Sequence, residues 1–450
     1  MSSENTLEKK TFQLFGMPWY FFALFGVVVL AAVYMGKLPK GMIGAFPLMI
    51  IMGAVFGLIG DTTPIVRTFL GGGAIVIIFG SAALTTNFGT KENPLFVLPE
   101  AAINIMKNFE TVEGFLDFYI ASLITGSIMG MNRRLLVKAS VRYLPAILGG
   151  VALALFLCGV FGAILGYGAK EAVLYIGVPI MGGGMGAGAV PLSQIFGKGL
   201  SQEPAKMLSL MIPAVALGNA LSIVAGGLLK KLGQVRPQLS GGTGANAQLM
   251  RLQGADAEAL KLDPEQRNAR EAINLIHMGA GLLIATSFFA LGMIINKFVP
   301  DIHGYAWMII SVALVKALGL LPQKFEICCY QWFQFVMKNL TGVLLVGIGV
   351  AYTDLHQIAQ AFSGQYILLV FVTVFGAIAG AGIIGNLVGF FPIDASITAG
   401  LCMSNMGGTG DVAVLSAADR MELMPFAQIS SRIGGAFMLI LASILLQFLR

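Results

Sequence analysis

The chain has 450 residues, a net charge of +6 and a mean hydropathy of +0.84, and 57% of its residues are hydrophobic whereas only 11% are charged. Soluble domains contain about 25% charged residues, so this composition excludes an ordinary soluble protein and indicates a polytopic membrane protein. The positive charge reflects membrane topology and does not indicate nucleic-acid binding. The cysteines and histidines show no metal-site spacing, and no disulfide framework is expected.

The polar N-terminal segment, 1–16, has no small-residue cleavage site and is interpreted as a cytoplasmic tail and not a signal peptide. Eleven apolar runs follow that are long enough to span about 30 Å of hydrocarbon. They lie at 17–36, 42–59, 68–84, 115–131, 143–168, 205–229, 272–296, 305–320, 332–353, 366–384 and 428–449. Two Gly-rich apolar stretches remain, 172–200 and 385–417, and both are interpreted as re-entrant hairpins.

The Lys/Arg bias between loops predicts a cytoplasmic N-terminus, and an odd number of spans then places the C-terminus outside. The first hairpin enters from outside and the second from inside, as an inverted repeat requires. We therefore predict an all-α protein with two inverted five-helix repeats, each with one hairpin. The extra first helix and first repeat cover 17–232, a cytoplasmic linker covers 233–268, and the second repeat covers 269–450.

Two further features lie between the spans. Pro99 is well placed to start a helix, and Ile103, Met106 and Phe109 share one face of it, so 95–110 is predicted to be a helix at the outer membrane surface. Lys316 lies near a helix end and is predicted to snorkel to the surface.

The stretch 401–435 contains groups that hydrocarbon rejects. Gly407, Gly408 and Gly410 are expected to break a helix, and Asp411 and Arg432 are ionisable. Charges and non-helical backbone survive at membrane depth only in protein or beside a water-filled cavity. This stretch is therefore predicted to line a solute pathway.

The glycine motif has a counterpart in the other half. Gly186–Val190 resembles Gly408–Val412 at an offset of 222 residues (410 − 188), which is about half the chain. Two Gly-interrupted apolar segments at corresponding places indicate a transporter's binding site, since helix ends there attract anions and unwound carbonyls ligate cations. The alternative is close packing between helices through small residues.

The two charged residues also have alternatives. The Arg432 guanidinium fits a carboxylate with two hydrogen bonds, or it snorkels to the cytoplasm. Asp411 could pair with an arginine, bind a cation or carry a proton, or it could cap a helix over Val412–Ala418.

From about Phe15 onwards the chain resembles the 2-hydroxycarboxylate transporter family, whose members carry citrate, malate or lactate. The residues that carry the resemblance are Pro179–Gly184 with Gly186–Ser193 in the first hairpin, Gly407–Asp411 in the second, and Ser430–Gly435 in the last helix.

The resemblance implies a homodimer in which a transport domain moves like an elevator against a static dimerisation domain. It also implies that Arg432 holds a substrate carboxylate. The substrate-binding residues are then Met185, Gly186, Met406, Gly408, Thr409 and Arg432. Those for the coupling cation, Na⁺ or H⁺, are Ile180, Gly182, Met403 and Asn405, to which the hypothesis above adds Asp411.

Two positions depart from the family pattern. Sodium–citrate members carry Asn and a second Arg where this chain has Met185 and Met406. One fixed positive charge in place of two favours malate over citrate. We therefore expect a symporter that imports a 2-hydroxy di- or tricarboxylate; the alternative is a precursor/product exchanger such as malate for lactate.

Other function classes fit less well. No metalloprotease, P-loop or nucleophile-elbow motif occurs, so no enzyme is predicted, and broken helices in two repeats favour alternating access over a channel. The expected setting is the bacterial inner membrane, with lipid and a second copy as partners, no nucleic acid and no cofactor apart from the coupling cation.

Overall fold

The computed structural model describes residues 12–64, 66, 73–87, 97–130, 133, 140–242, 273–300, 303–353, 355–356, 359, 363–420 and 423–449. Within these ranges the chain is almost entirely helical. In the first half, a short ladder pairs Gln13–Leu14 with Met17–Pro18. The helices that follow are α1 (Trp19–Tyr34), α2 (Met42–Thr62), α3 (Gly73–Thr85), α4 (Glu100–Thr111), α5 (Phe115–Met129), α6 (Ser140–Ile164), α7 (169–180), α8 (185–200) and α9 (Pro204–Val235).

The second half is also mostly helical within its described residues. Its helices are α10 (Leu275–Phe298), α11 (Gly304–Leu318), α12 (Gln323–Asn339), α13 (Thr341–Tyr352), α14 (Gly364–Leu387), α15 (392–401), α16 (Gly408–Ala418) and α17 (424–449). Five of the seventeen, α7, α8, α13, α15 and α17, contain a π-helical turn. Such turns are rare and are frequent at functional sites.

Proline and glycine set several helix ends. Pro99 precedes α4, Pro204 begins α9 and Pro392 begins α15, where the missing N–H of proline leaves no hydrogen bond unmade. Gly114 (φ +77°) separates α4 from α5, and Gly389 (φ +92°) separates α14 from α15. Both have the left-handed backbone that glycine adopts without strain.

Six of the described helices are long and apolar enough to cross a membrane, and the number rises to eight if each of two bent pairs is one span. The bent pairs are α4 with α5, at 41°, and α12 with α13, at 58°. These helices agree with an all-α polytopic membrane protein. The eleven spans, the inverted repeats and the orientation of the termini stay predictions.

Two helical hairpins occupy the predicted regions. The first, α7 with α8, begins at 169 and ends at 200, close to the predicted 172–200. The second, α15 with α16, begins at 392, so the predicted start at 385 was wrong. The apolar helix α14 continues to Leu387, and the turn at Gly389 separates it from the hairpin.

The helices pack in two groups. One contains α6, α9, α14 and α17 with both hairpins, and the other contains α2 to α5 and α10 to α13. The groups touch where α5 meets α8 and α17, where α9 meets the π-helical end of α13, and where α11 meets α17. A binding site at the hairpins therefore borders both groups.

A buried ion pair closes the base of the second hairpin. Arg420 is 3% exposed and Asp394 is 1% exposed, and Arg420 Nε donates to Asp394 Oδ1 at 2.8 Å. The Gly241 N–H donates to Asp394 Oδ2 at 2.6 Å, and Arg420 Nη2 donates to Ser240 Oγ at 2.5 Å. The pair thus holds the chain after α9 against the hairpin.

Three other predictions can be compared with the structure. The helix after Pro99 is present and its face of Ile103, Met106 and Phe109 is buried; its place at the membrane surface stays a prediction. Lys316 does not snorkel: it is 1% exposed, and its Nζ donates to Glu326 Oε2 at 2.7 Å. The linker does not begin at 233, because α9 extends to Val235, and residues 243–268 lie outside the described ranges.

Candidate functional site

The tips of the two hairpins meet each other and the start of α17. Gly183 (φ +80°) and Gly184 (φ +114°) form the first tip. A Cβ on Gly184 would lie 2.6 Å from the Met406 carbonyl oxygen, and one on Gly183 would lie 2.5 Å from that of Ser431. No real side chain fits at such distances, so glycine is required at both positions for main chain to contact main chain.

Hydrogen bonds of Asn405 and Asp411 shape the second tip. Asn405 Oδ1 accepts from the Gly407 N–H at 2.7 Å, and Asn405 Nδ2 donates to Asp411 Oδ1 at 3.0 Å. The other carboxylate oxygen, Asp411 Oδ2, accepts from Ser431 Oγ at 2.8 Å. Asp411 thereby connects the tip to α17.

The structure contradicts two interpretations of this segment. Helix α16 begins at Gly408, so Asp411 lies in its first turn and is not an N-cap before Val412. For the same reason Gly408 and Gly410 do not break a helix. A Cβ on Gly410 would lie 2.8 Å from Asn219 Oδ1, so glycine is needed here for close packing against α9.

A cavity of about 400 Å³ lies beside the tips. Both packing groups line it. The hairpin group contributes Gly183, Met185, Gly186, Met406, Gly407, Asp411, Ser431 and Arg432, and the other group contributes residues that include Asp61, Tyr119, Ser127, Phe333, Met337 and Thr341. Its size suits a small organic acid.

Arg432 supplies the positive charge of this cavity. Among the described lining residues it is the one basic side chain, whereas Asp61 and Asp411 are acidic. Its guanidinium carbon lies 5.4 Å from the centre of the Phe333 ring, a distance at which a cation is attracted to the ring face. Arg432 is half-buried and faces the cavity, so it does not snorkel to a distant surface.

The opposite wall of the cavity is formed largely by apolar and hydroxyl groups. The Tyr119 hydroxyl and Thr341 Oγ1 are 2.8 Å apart and hydrogen-bonded to each other. Asp61 Oδ1 accepts from the Gly73 N–H at 2.8 Å. Among the described lining residues, the basic side chain that can pair with an anion in this cavity is therefore Arg432, on the hairpin side.

The four residues that the resemblance assigns to the cation lie in the segments on either side of the two tips. Ile180, Gly182, Met403 and Asn405 are buried and do not line the cavity. Gly218 of α9 lies between the Ile180 side chain and the Ser404 carbonyl, since a Cβ there would be 3.3 Å from both. Carbonyl and amide oxygens at an unwound helix are suited to Na⁺, so the donor types fit.

Gly186 lines the cavity in the first turn of α8, and Gly408 and Thr409 form the first turn of α16 directly after the second tip. The structure thus places four of the predicted substrate residues, Met185, Gly186, Met406 and Arg432, on one cavity. Of the predicted cation residues, Asp411 lines the cavity and is hydrogen-bonded to Asn405.

Three residues at this site were missed from the sequence. Asn219 Oδ1 accepts from the Met406 N–H at 3.1 Å, Ser222 Oγ donates to the Ser404 carbonyl at 3.0 Å, and the Tyr143 hydroxyl is 2.8 Å from Ser430 Oγ. Asn219 and Ser222 are polar and lie one helical turn apart in an apolar run, which was the available signal. No signal in the sequence distinguished Tyr143.

Comparison with known proteins decides the family. The model of the 2-hydroxycarboxylate transporter family matches residues 14–444. The chain belongs to this family. The resemblance in the hairpin motifs is therefore confirmed, and the protein is a secondary transporter embedded in a membrane.

Relatives in this family are similar over their whole length. The citrate transporter CitP of Lactococcus lactis subsp. lactis is 38% identical over 95% of this chain and 92% of its own. The malate transporter MleP of Lactococcus lactis subsp. lactis (strain IL1403) is 37% identical over 98% and 99%. The Na(+)-malate symporter of Bacillus subtilis (strain 168) is 35% identical over 99% and 96%.

Proposed function

We propose that this transporter imports a 2-hydroxy di- or tricarboxylate, with malate preferred over citrate, by symport with Na⁺ or H⁺. The observation that carries the proposal is the single basic side chain, Arg432, among the described residues of a cavity that Met185 and Met406 also line. Citrate at neutral pH bears nearly three negative charges and malate two. Methionine offers an adaptable apolar surface that cannot pair with a third carboxylate, and an unpaired buried carboxylate is costly.

The relatives and the chemistry of the predicted cation residues support coupling to a cation. One relative is named a malate transporter and another a Na(+)-malate symporter. The main-chain carbonyls of Ile180 and Gly182 and the side-chain amide of Asn405 supply oxygen atoms of the kind that bind Na⁺. We assign Asp411 a role in the same cation step, because its carboxylate contacts Asn405 on one side and Ser431 on the other.

We further propose alternating access of the elevator type in a homodimer. The hairpin group, which carries Arg432 and both methionines, is the moving unit, and the other group is the static one. The cavity between the two groups supports this division. Two inverted repeats joined by a cytoplasmic linker remain part of this proposal.

The test is uptake of labelled malate and citrate into proteoliposomes, with Na⁺ and pH gradients imposed separately. Accumulation that follows one of the two gradients supports symport and identifies the cation. Counterflow without any accumulation under either gradient would instead make the protein an exchanger.

Substitution at Met406 is expected to change the substrate preference. Met406→Arg, alone or with Met185→Asn, adds a positive charge and a hydrogen-bonding side chain to the cavity wall, so citrate should compete against labelled malate better than it does in the unmodified protein. We expect a shift of about tenfold, the effect of one charge-assisted hydrogen bond. Competition at fixed pH with a chelator present measures it. Met35→Arg, at an exposed methionine directly after α1 and outside the described cavity lining, is the control. Free citrate that already outcompetes malate in the unmodified protein would contradict the charge argument.

Asp411→Asn tests the cation step. The amide keeps the size of the side chain but removes its charge, so gradient-driven accumulation should fall at least about tenfold while counterflow of substrate falls less. Asp419→Asn, at an exposed position after the same helix, is the matched control and should leave both activities unchanged. Full accumulation by a normally expressed Asp411→Asn variant would exclude a coupling role for the carboxylate.

A further inference from the structure

Glu110 is an acidic side chain that the transport site does not use. It lies near the end of α4, is 0% exposed, and neither of its carboxyl oxygens has a hydrogen-bond partner among the described residues. No described basic side chain forms an ion pair with it. One carboxyl oxygen packs directly on Gly347, where any side chain would collide with it.

An ionised carboxylate is not stable in such surroundings. Removing a charge from water without a partner is so costly that a buried acid takes up a proton instead. Glu110 therefore occupies this position as the neutral acid. Among the other buried charged groups of the described chain, Lys316 pairs with Glu326 and Arg420 pairs with Asp394. Buried Asp411 accepts hydrogen bonds from Asn405 and Ser431. Glu110 differs from them because its carboxyl oxygens have neither kind of partner among the described residues.

The neighbours of Glu110 connect it to the moving group. Gly347 is the last residue before the π-helical turn Ile348–Tyr352 of α13. The Tyr352 carbonyl at the end of this turn accepts from Ser209 Oγ of α9 at 3.2 Å. Helix α13 thus runs from the residue that Glu110 contacts to the surface on which the two groups meet, so a change in packing at Glu110 can reach that surface through one helical turn.

The opposite side of the same turn is also polar and unpaired. Gly349 packs on Ser81 of α3, whose hydroxyl is buried without a described partner. The titratable groups that face this region are Tyr352 from α13 and Asp117 from α5, whose carboxylate accepts from the Tyr305 hydroxyl. From α2 the acidic group is Asp61, which faces the substrate cavity. Among these described groups, Glu110 is the carboxyl group that packs on Gly347, directly before the π-helical turn.

We propose that Glu110 is a proton-binding site outside the substrate cavity, and that loss of its proton loosens the packing around the π-helical turn of α13 and slows transport. The folded protein holds the proton, whereas the unfolded chain releases it at any pH above the ordinary range of a glutamate. Stability therefore falls as pH rises, by up to tenfold in the folded-to-unfolded ratio for each pH unit, until the folded protein also ionises.

The test compares Glu110→Gln with the unmodified full-length protein between pH 6.5 and 9. Glutamine has the shape of the neutral acid and cannot ionise, so both the apparent unfolding temperature in detergent and counterflow of labelled malate should decline less with pH than in the unmodified protein. Glu110→Asp should retain a pH dependence. Glu100→Gln, on an exposed position of the same helix, is the matched control and should follow the unmodified profile.

Only the transport readout rests on the proposed function; the unfolding readout does not. A Glu110→Gln profile that coincides with the unmodified one in both readouts overturns the proposal. Failure of Glu110→Gln to fold also overturns it, because a site that holds the neutral acid must accept its uncharged isostere.

Discussion

Replacing Arg432 by lysine is expected to weaken the apparent affinity for the carboxylate substrate about ten- to a hundredfold, although the positive charge is kept. The planar guanidinium can donate two parallel hydrogen bonds to one carboxylate, and the ammonium of lysine is a point charge that does not reproduce this fork. A hydrogen bond to a charged group contributes about 1.5–3 kcal/mol, which gives this range. The measurement is the concentration dependence of malate counterflow in proteoliposomes.

The matched control is Arg236→Lys, at an exposed position directly after α9. It makes the same chemical change away from the cavity and should leave the affinity as it is. An Arg432→Lys variant with unmodified affinity would show that Arg432 does not hold the substrate through two hydrogen bonds.

Removing Arg420 is expected to give the largest loss of stability. Arg420→Ala leaves the carboxylate of Asp394, which is 1% exposed, with the Gly241 N–H but without its charge partner. Breaking a buried ion pair on one side costs about 3–5 kcal/mol. The apparent unfolding temperature in detergent should therefore fall markedly, and limited proteolysis should cut more readily near Ser240.

The control uses an ion pair close by. Lys230 and Asp419 are 3.3 Å apart but 35% and 64% exposed, and Lys230→Ala should cost at most about 1 kcal/mol. Replacing both buried partners, Asp394→Leu with Arg420→Met, should restore part of the stability, since no charge is left unpaired. If Arg420→Ala were no less stable than Lys230→Ala, the buried pair would have no structural role.

The positions of the helices followed from the sequence because a span needs about 20 apolar residues and such runs are visible in it. Their directions did not follow. The run 332–353 was predicted as one span, whereas α12 and α13 cover 323–352 and are bent by 58°. An apolar run indicates that a segment avoids water. It does not indicate whether the segment is one straight helix or two helices with a bend between them.

The sequence likewise predicted one part of the candidate site and not the other. The hairpin glycines and Arg432 were predicted because glycine and charge are conspicuous in an apolar chain. The facing wall was not, because Tyr119, Phe333 and Thr341 lie in segments where aromatic and hydroxyl residues are ordinary core. Asn219 was missed because a polar residue in a long helix does not reveal which neighbour it faces. Contacts between distant segments decide these roles, and a single sequence does not contain them.

The contact between the hairpin tips has a consequence for how substrate range can change. Gly183 and Gly184 touch the carbonyls of Ser431 and Met406 through main chain alone, so this part of the frame of the site does not depend on side-chain identity. Met185 and Met406 project from this frame into the cavity. A mutation at either residue can alter which acid is accepted without dismantling the architecture. Diversification among descendants of one ancestral carrier then requires few changes, whereas the glycines tolerate none.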